Sequence, residues 1–287
     1  MMRSKLFVPG SRPELFEKAM ASAADALSFD LEDAVTPDKK DEARRRTSDF
    51  LASLGREHAK LRIVRVNPVG SPQFAEDVAA VVTMGTDLVN LPKLESAEEV
   101  RRGVEAVITA EKRKGLGHKI GILINLESPK GLRFANEIAC AHERVAGVQF
   151  GVGDLFAPYR IERHDAALSP VRLAAKMAAA EAGVPAYDTV FVNIADTLGL
   201  ERDTVAGRRM GYSGKSCIHP SQVAVVNAVY TPRDAEIAWA QKVLAAATDP
   251  ANKGLGAFVV DGRMVDEPFF LEARATVDLA RRLKLIN

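Results

Sequence analysis

The feature that most constrains this 287-residue chain is an alternation, repeated eight times, of short β-branched and apolar runs with longer amphipathic stretches. The apolar runs are Ser4–Val8, Ala26–Leu31, Leu61–Val66, Asp87–Leu91, Ile120–Leu126, Val145–Val152, Thr189–Ile194 and the latter half of 211–220. Helices are expected between them, from Pro13 onward and over Asp38–Leu54, Ser71–Met84, Ala97–Lys114, Pro129–Ala141, Ser169–Ala182 and Asp196–Met210. Strands joined through helices run parallel, with their C-terminal ends on one side. Eight such units with linkers of ordinary length favour a closed α/β (β/α)8 TIM barrel, typically about 250 residues, over two domains. The barrel is expected to occupy residues 1–231.

Residues 232–287 then form a C-terminal appendage. A helix over Arg233–Ala247 precedes the hinge-like Asn252-Lys253-Gly254-Leu255-Gly256. Phe258–Val265 reads as a hairpin around an Asp261-Gly262 turn, and Pro268–Leu285 as a last helix. With eight strands already assigned, the stretch 252–287 is a candidate lid or inter-subunit arm.

Apolar content of 47% and charged content of 27% fit a soluble globular protein, and a net charge of +1 argues against a broad nucleic-acid or polybasic membrane surface. No apolar run approaches the ~20 residues of a membrane span, and the N-terminal MMRSKLFVPGSRPE lacks the apolar core of a signal peptide. Two cysteines, Cys140 and Cys217, suit a reduced, cytoplasmic protein better than a disulfide scaffold. Gly211 to Ser216 lacks the glycine spacing of a phosphate-binding loop.

Chemistry concentrates at the ends of the apolar runs. Glu127 and Asp154 close two consecutive ones, and two carboxylates on adjacent strand ends can share a hard divalent cation such as Mg2+. Helix N-caps or solvated loop acids fit the pattern equally well. Asp30, Glu32 and Asp33 cluster at the second strand's end, where Asp33 also suits an N-cap. Arg65 ends the third, and it either forks onto a substrate oxygen or pairs with a neighbouring acid. Lys93 follows the fourth; as a Schiff-base amine it would need a lowered pKa, and a charge partner is the commoner role. The basic residues Lys39, Lys40, Arg44, Arg45 and Arg46 read as a solvated helix face. Asp266 is an acid on the appendage, or simply the N-cap of the last helix.

Eight motifs in register resemble the citrate lyase beta subunit-like, or HpcH/HpaI aldolase, group of CoA-ester lyases. They are RSKLFVPG (3–10), FDLEDAV (29–35), RVN (65–67), LPKLES (91–96), LESPKGL (126–132), GVGDL (151–155), GYSGKSCIHPSQV (211–223) and GRMVDEP (262–268). The resemblance implies a TIM barrel holding Mg2+ through Glu127 and Asp154, with Glu32 and Asp33 around the metal's waters. It implies that Arg65 contacts substrate oxygens together with the metal-bearing Glu127. It implies an acyl-CoA substrate lying across the barrel mouth, and a homotrimer or hexamer in which Asp266 reaches a neighbouring subunit's site. The implied reaction is reversible carbon–carbon cleavage of a 3-hydroxyacyl-CoA, such as malyl-CoA or citramalyl-CoA, to acetyl-CoA and a 2-oxo acid. The alternatives are a metal-dependent aldolase on free 4-hydroxy-2-oxo acids and an acyl-carrier-dependent citrate lyase beta subunit. The run LFAPYRIERHD after Asp154, and Ser128-Pro129-Lys130, depart from the family pattern and bear on substrate identity.

Overall fold

The computed structural model describes residues 2–56, 58–249 and 255–287. The chain divides into two compact units, Met1–Val229 and Tyr230–Asn287. In the first unit β1 (Ser4–Pro9) leads to the short α1 (Phe16–Met20), and β2 (Ala26–Asp30) to α2 (Lys40–Ser53). β3 (Leu61–Arg65), α3 (Phe74–Val81), β4 (Leu88–Leu91), α4 (Ala97–Lys114) and β5 (Gly121–Leu126) follow. Then come α5 (Pro129–Arg133), α6 (Ala135–Ala139), β6 (Val145–Phe150), α7 (Val152–Phe156) and α8 (Asp165–Glu181). β7 (Ala186–Asp188), α9 (Thr197–Arg209), β8 (Gly214–Cys217) and α10 (Pro220–Tyr230) complete the series. Each strand pairs in parallel with the next, and β8 pairs with β1 to close the expected barrel.

The strand period of two decides what faces the barrel axis. Phe7 and Pro9, Asn125 and Glu127, Gln149 and Gly151, and Ser216 and Ile218 all point into one cavity. Met2, Ala26, Ile63, Leu123 and Tyr187 form an apolar core cluster within the same barrel.

Four local expectations are corrected. The seventh strand is Ala186–Asp188, not Thr189–Ile194. Side chains take the later segment's backbone acceptors: Arg163 Nη1 donates to Val190 O at 2.5 Å and Gln222 Nε2 to Phe191 O at 2.8 Å. With those carbonyls occupied, no neighbouring strand is needed to satisfy them. Pro129–Ala141 is two short helices rather than one, broken where Phe134 leaves helical geometry. Hydrogen bonds from Phe134 N to Lys130 O and from Ile138 N to Phe134 O make the break a kink. α8 starts at Asp165, a turn ahead of Ser169, because His164 O accepts from Ala167 N and Leu168 N.

The fourth correction concerns the basic run on α2. Arg44 is buried against Asp77, and Lys40 Nζ donates to Leu31 O, Glu32 O and Asn67 Oδ1 at 2.7–2.9 Å. Two of the five cations are therefore structural, and Lys40 grips the loop that carries Glu32.

The second unit contains α11 (Asp234–Thr248), the hairpin β9 (Ala257–Val260) and β10 (Arg263–Asp266), and α12 (Glu267–Arg282). Asp261 and Gly262 have φ of 47° and 77°, the positive pair that a tight two-residue hairpin turn demands. Its core is Ala240, Val243, Val260, Val265, Ala273 and Val277. Residues 252–254 of the expected hinge lie outside the described residues. Among the described residues no helix is long and apolar enough to cross a membrane.

A buried ionic network ties β7 and β8 to the helices behind them. Arg172 from α8 donates to Asp188 at 2.8 Å and Asp203 at 2.7 Å, while Lys215 Nζ meets the same acids at 3.0 and 2.6 Å. Arg172 and Lys215 balance the two carboxylates, and neither cation is more than 1% exposed. Removing one member leaves a buried charge without its partner. Arg172→Met is expected to lower the stability of the barrel by about 3–5 kcal/mol in denaturant titrations. A loss below about 1 kcal/mol would mean that the network relaxes or admits water.

Candidate active site

Asp30 and Arg65 are register neighbours at the C-terminal ends of β2 and β3. Arg65 Nε donates to Asp30 Oδ1 at 2.8 Å and Nη2 to Oδ2 at 2.6 Å, a two-pronged pair. The same Asp30 oxygens accept from Glu32 N and Ala34 N at 3.0 and 3.1 Å, so the pair shapes the loop that follows β2. The remaining Arg65 nitrogen, Nη1, lies 3.0 Å from Glu32 Oε2 and 3.3 Å from Asp33 Oδ2. Burial disfavours the guanidinium charge, but Asp30, Glu32 and Glu127 outweigh it and raise the pKa further. The ion-pair reading of Arg65 is thus realised, and Arg65 also lines the cavity. Asp33 caps no helix; its carboxylate pairs with Arg65 and Lys93.

Lys93 binds the cluster at both ends. Its N–H donates to Glu127 Oε2 at 2.8 Å. Its Nζ lies 2.8 Å from Glu32, 3.1 Å from Asp33 and 3.8 Å from Asp154. The backbone there is left-handed, with φ of 53°, a strain of about 1 kcal/mol or more for a residue with a side chain. Burial works against the ammonium, but Glu32 and Asp33 more than compensate and raise its pKa. A permanently charged lysine is the wrong form for a Schiff-base nucleophile, so the charge-partner role holds.

Glu127 follows β5, buried, with Asn125 Nδ2 donating to Oε1 at 3.1 Å. Burial raises its pKa, Arg65 and the Lys93 N–H pull it down, and the charge of Asp154 pushes it up again. Asp154 is not at a strand end, as the sequence pattern suggested, but in the first turn of α7. Gly151 makes this approach possible, since a Cβ there would fall 2.4 Å from Glu127 Oε1. Glu32 is perturbed in the same direction: burial raises its pKa to about 7 against the pull of Arg65 and Lys93. Both its oxygens lie at ion-pair distance from cations, yet neither accepts a well-directed hydrogen bond.

Five carboxyl groups, Asp30, Glu32, Asp33, Glu127 and Asp154, therefore crowd around two cations, Arg65 and Lys93. Beside them opens a cavity of about 440 Å³. Among the described residues no three His, Cys, Asp or Glu side chains form a ready-made metal cage. A hard cation completed by water or substrate oxygens needs only one or two protein carboxylates, and the surplus of negative charge fits that demand.

Three further residues escaped the sequence reading. Lys5 on β1 is 1% exposed, and burial together with Arg65 lowers its pKa to about 7. Gln149 accepts from Lys5 Nζ at 2.5 Å, and Asn125 links Asn90 to Glu127. The one available signal was position: Lys5 precedes Phe7 by two residues and so shares its inward face. Asp266 stands at the N-cap position of α12, but its side chain caps no N–H and Oδ1 has no hydrogen-bond partner among the described residues. Cys217 is buried with its thiol pKa pushed up to about 12, so it is no nucleophile.

A parallel barrel with an acid-rich rim at its strand C-termini defines the class of barrel enzymes whose chemistry sits on the βα loops. Residues 3–220 match the HpcH/HpaI aldolase/citrate lyase family, and the chain belongs to that family of lyases. It is 35% identical to the citrate lyase subunit beta of Leuconostoc mesenteroides subsp. cremoris, over 100% of this chain and 96% of that one. It is 34% identical to a (3S)-malyl-CoA thioesterase of Cereibacter sphaeroides, over 98% and 95% of the two chains. Among solved structures, CitE of Mycobacterium tuberculosis in complex with magnesium, acetoacetate and coenzyme A superposes with a TM-score of 0.76 at 32% identity, covering 97% of this chain and 98% of that one.

The raised pKa of Glu32 has a consequence for stability. Between about pH 4.5 and 7 the folded state keeps a proton on Glu32 that the unfolded state has released, so this group's contribution falls as pH rises through that window. In EDTA, wild type is expected to lose up to about 3 kcal/mol more than Glu32→Gln between pH 5 and pH 7.5. Denaturant midpoints at the two pH values measure it, and parallel losses in both proteins would assign the proton elsewhere.

Proposed function

We propose that this chain is a Mg2+-dependent carbon–carbon lyase that cleaves, or forms by Claisen-type condensation, a 3-hydroxyacyl-CoA such as malyl-CoA or citramalyl-CoA. The observation that carries the reading is the pairing of two carboxyl groups at the cavity, where the charge of Asp154 adds to burial in raising the pKa of Glu127. We assign these two carboxylates as the protein's ligands to Mg2+, with Glu32 and Asp33 holding its waters. The cation supplies Lewis acidity toward the substrate's hydroxyl and carboxylate oxygens.

The residues of the chain do the rest. Arg65 is clamped by Asp30 through Nε and Nη2, and we assign its Nη1, which stands 3.0 Å from Glu32 and 3.3 Å from Asp33, as the donor that would turn to charge developing on a substrate oxygen. Its orientation is set before substrate arrives, which is the condition for such a donor to lower a barrier. Lys93 orients Glu127 through its backbone N–H and fixes Glu32 and Asp33 through its ammonium. Asp266 is the acid we assign to proton transfer at the acetyl-CoA carbon, serving a neighbouring copy in a homotrimer or hexamer.

The relatives named citrate lyase subunit beta, at 35% and 36% identity, support a second reading, in which an acyl-carrier protein presents the thioester in place of CoA. Malyl-CoA and citramalyl-CoA, supplied with Mg2+ or with EDTA, test both. The expected result is Mg2+-dependent formation of acetyl-CoA and a 2-oxo acid in equal amounts, without free thiol. Free thiol without acetyl-CoA would make the protein a thioesterase, and turnover of carrier-bound thioesters alone would favour the citrate lyase role. Glu127→Gln and Arg65→Lys are expected to lower kcat by about 10²–10³ or more, the first with weakened Mg2+ binding and the second without.

A further inference from the structure

The loop that follows β2 carries two of the rim acids, and it is fastened on both sides. On the cavity side Glu32 N and Ala34 N donate to the Asp30 carboxylate at 3.0 and 3.1 Å, and Leu31 N donates to Arg65 O at 2.9 Å. On the outer side Lys40 of α2 directs all three of its ammonium protons at this region. Its Nζ donates to Leu31 O and Glu32 O at 2.9 Å and to Asn67 Oδ1 at 2.7 Å. The main chain of Glu32 is therefore held at its N–H and at its carbonyl, while its carboxyl oxygens accept no well-directed hydrogen bond.

Lys40 is itself held. Asn67 turns its oxygen to Lys40 because its Nδ2 donates to Leu31 O at 3.1 Å and to Asp77 Oδ2 at 2.6 Å. Asn67 N donates to the same Asp77 oxygen at 2.9 Å, and Arg44 Nε to Oδ1 at 2.8 Å. Asn67 and Asp77 are 4% and 1% exposed, so this support is shielded from water. A loop anchored to its own strand alone could swing toward the cavity. One tied to α2 and, through Asn67, to α3 would break buried hydrogen bonds in doing so.

The distinction matters for a cation. Mg2+ demands near-ideal octahedral geometry with oxygens at about 2.0–2.1 Å and keeps several waters, whereas Ca2+ takes six to eight oxygens at about 2.3–2.6 Å in flexible geometry. Selectivity between the two follows ligand number and the freedom of the ligands to move. A fixed loop leaves Glu32 and Asp33 to the waters of an ion held by Glu127 and Asp154. A freed loop would deliver them as direct ligands, which suits the larger ion.

We propose that Lys40 is a positioning residue that makes the site selective for Mg2+ over Ca2+, by holding the Glu32 carbonyl and so keeping Glu32 and Asp33 from direct coordination. The proposal deepens the lyase reading and rests on its assignment of Glu127 and Asp154 as the cation's ligands.

Mn2+ bound to the full chain, followed through the EPR signal of the free ion, tests it by competition with Mg2+ and with Ca2+. Wild type is expected to release Mn2+ at lower Mg2+ than Ca2+. Lys40→Met should shift the ratio of the two midpoints toward Ca2+ by about tenfold or more. Loss of a positive charge, or a purely structural weakening, acts on both divalent ions alike and would not move that ratio. Lys40→Gln, which shortens the side chain and removes the three-pronged grip while keeping a polar tip, carries the test if Lys40→Met does not fold. A ratio within about threefold of wild type in the folded variant overturns the proposal and leaves the lyase reading standing. So does a wild type that prefers Ca2+. A wild type that binds no Mn2+ overturns the cation site, and with it both readings. A shifted ratio in a protein that cleaves no acyl-CoA overturns the lyase reading alone.

Discussion

The two-pronged bridge between Arg65 and Asp30 is the contact on which the rim of the barrel depends. It joins the ends of β2 and β3, and through Asp30 it fixes the backbone of Glu32 and Ala34. That in turn sets where Glu32 and Asp33 stand relative to Lys93, and Lys93 holds Glu127 by its main chain. One guanidinium thus organises an acidic surface contributed by three strands. Lys40 and Asn67 brace the same loop from outside, binding Leu31 O and Glu32 O. The left-handed backbone at Lys93 belongs to this arrangement, since it presents the N–H to one acid and the ammonium to others.

The molecule contains two buried charge clusters, and their contrast separates structure from chemistry. Around β7 and β8, Arg172 and Lys215 face Asp188 and Asp203 at 2.6–3.0 Å, and every carboxylate has its cations. Such a balanced set has nothing left for a ligand. At the rim, five carboxyl groups share two cations, and burial drives the pKa of Glu32 and Glu127 upward. Carboxylates crowded beyond their counter-charges are costly, and a shift of this kind beside a cavity is the mark of a site built for something else to bind.

Much of this was legible in the sequence. The strand pattern located β1 to β6 within a residue or two, because each is a short, mostly apolar run bounded by turn residues. Glu32, Asp33, Arg65, Lys93, Glu127 and Asp154 were all singled out as acids or cations at the ends of such runs, and the structure brings them together. What was hidden depended on contacts between distant segments. The run Thr189–Ile194 has the composition of a strand, yet Arg163 and Gln222 capture its carbonyls. Lys40 and Arg44 look like any other basic residues of a solvated helix until Asn67 and Asp77 are placed beside them. Lys5 and Gln149 lie 144 positions apart, and neither is informative without the other.

The rim and the floor of the cavity answer different questions. Relatives named as a citrate lyase subunit and as a malyl-CoA thioesterase stand at nearly the same identity to this chain. The whole-chain likeness therefore does not decide between a bond broken at carbon and a bond broken at the thioester. Both reactions would draw on an activated oxygen and an oxyanion donor, the roles proposed for the acidic rim and Arg65. They differ in whether water reaches the acyl group. Phe7, Gln149 and Ser216, at inward positions of β1, β6 and β8, line the cavity apart from those carboxyl groups. A barrel can change those positions without disturbing its rim, because alternate residues along each strand meet different parts of the ligand.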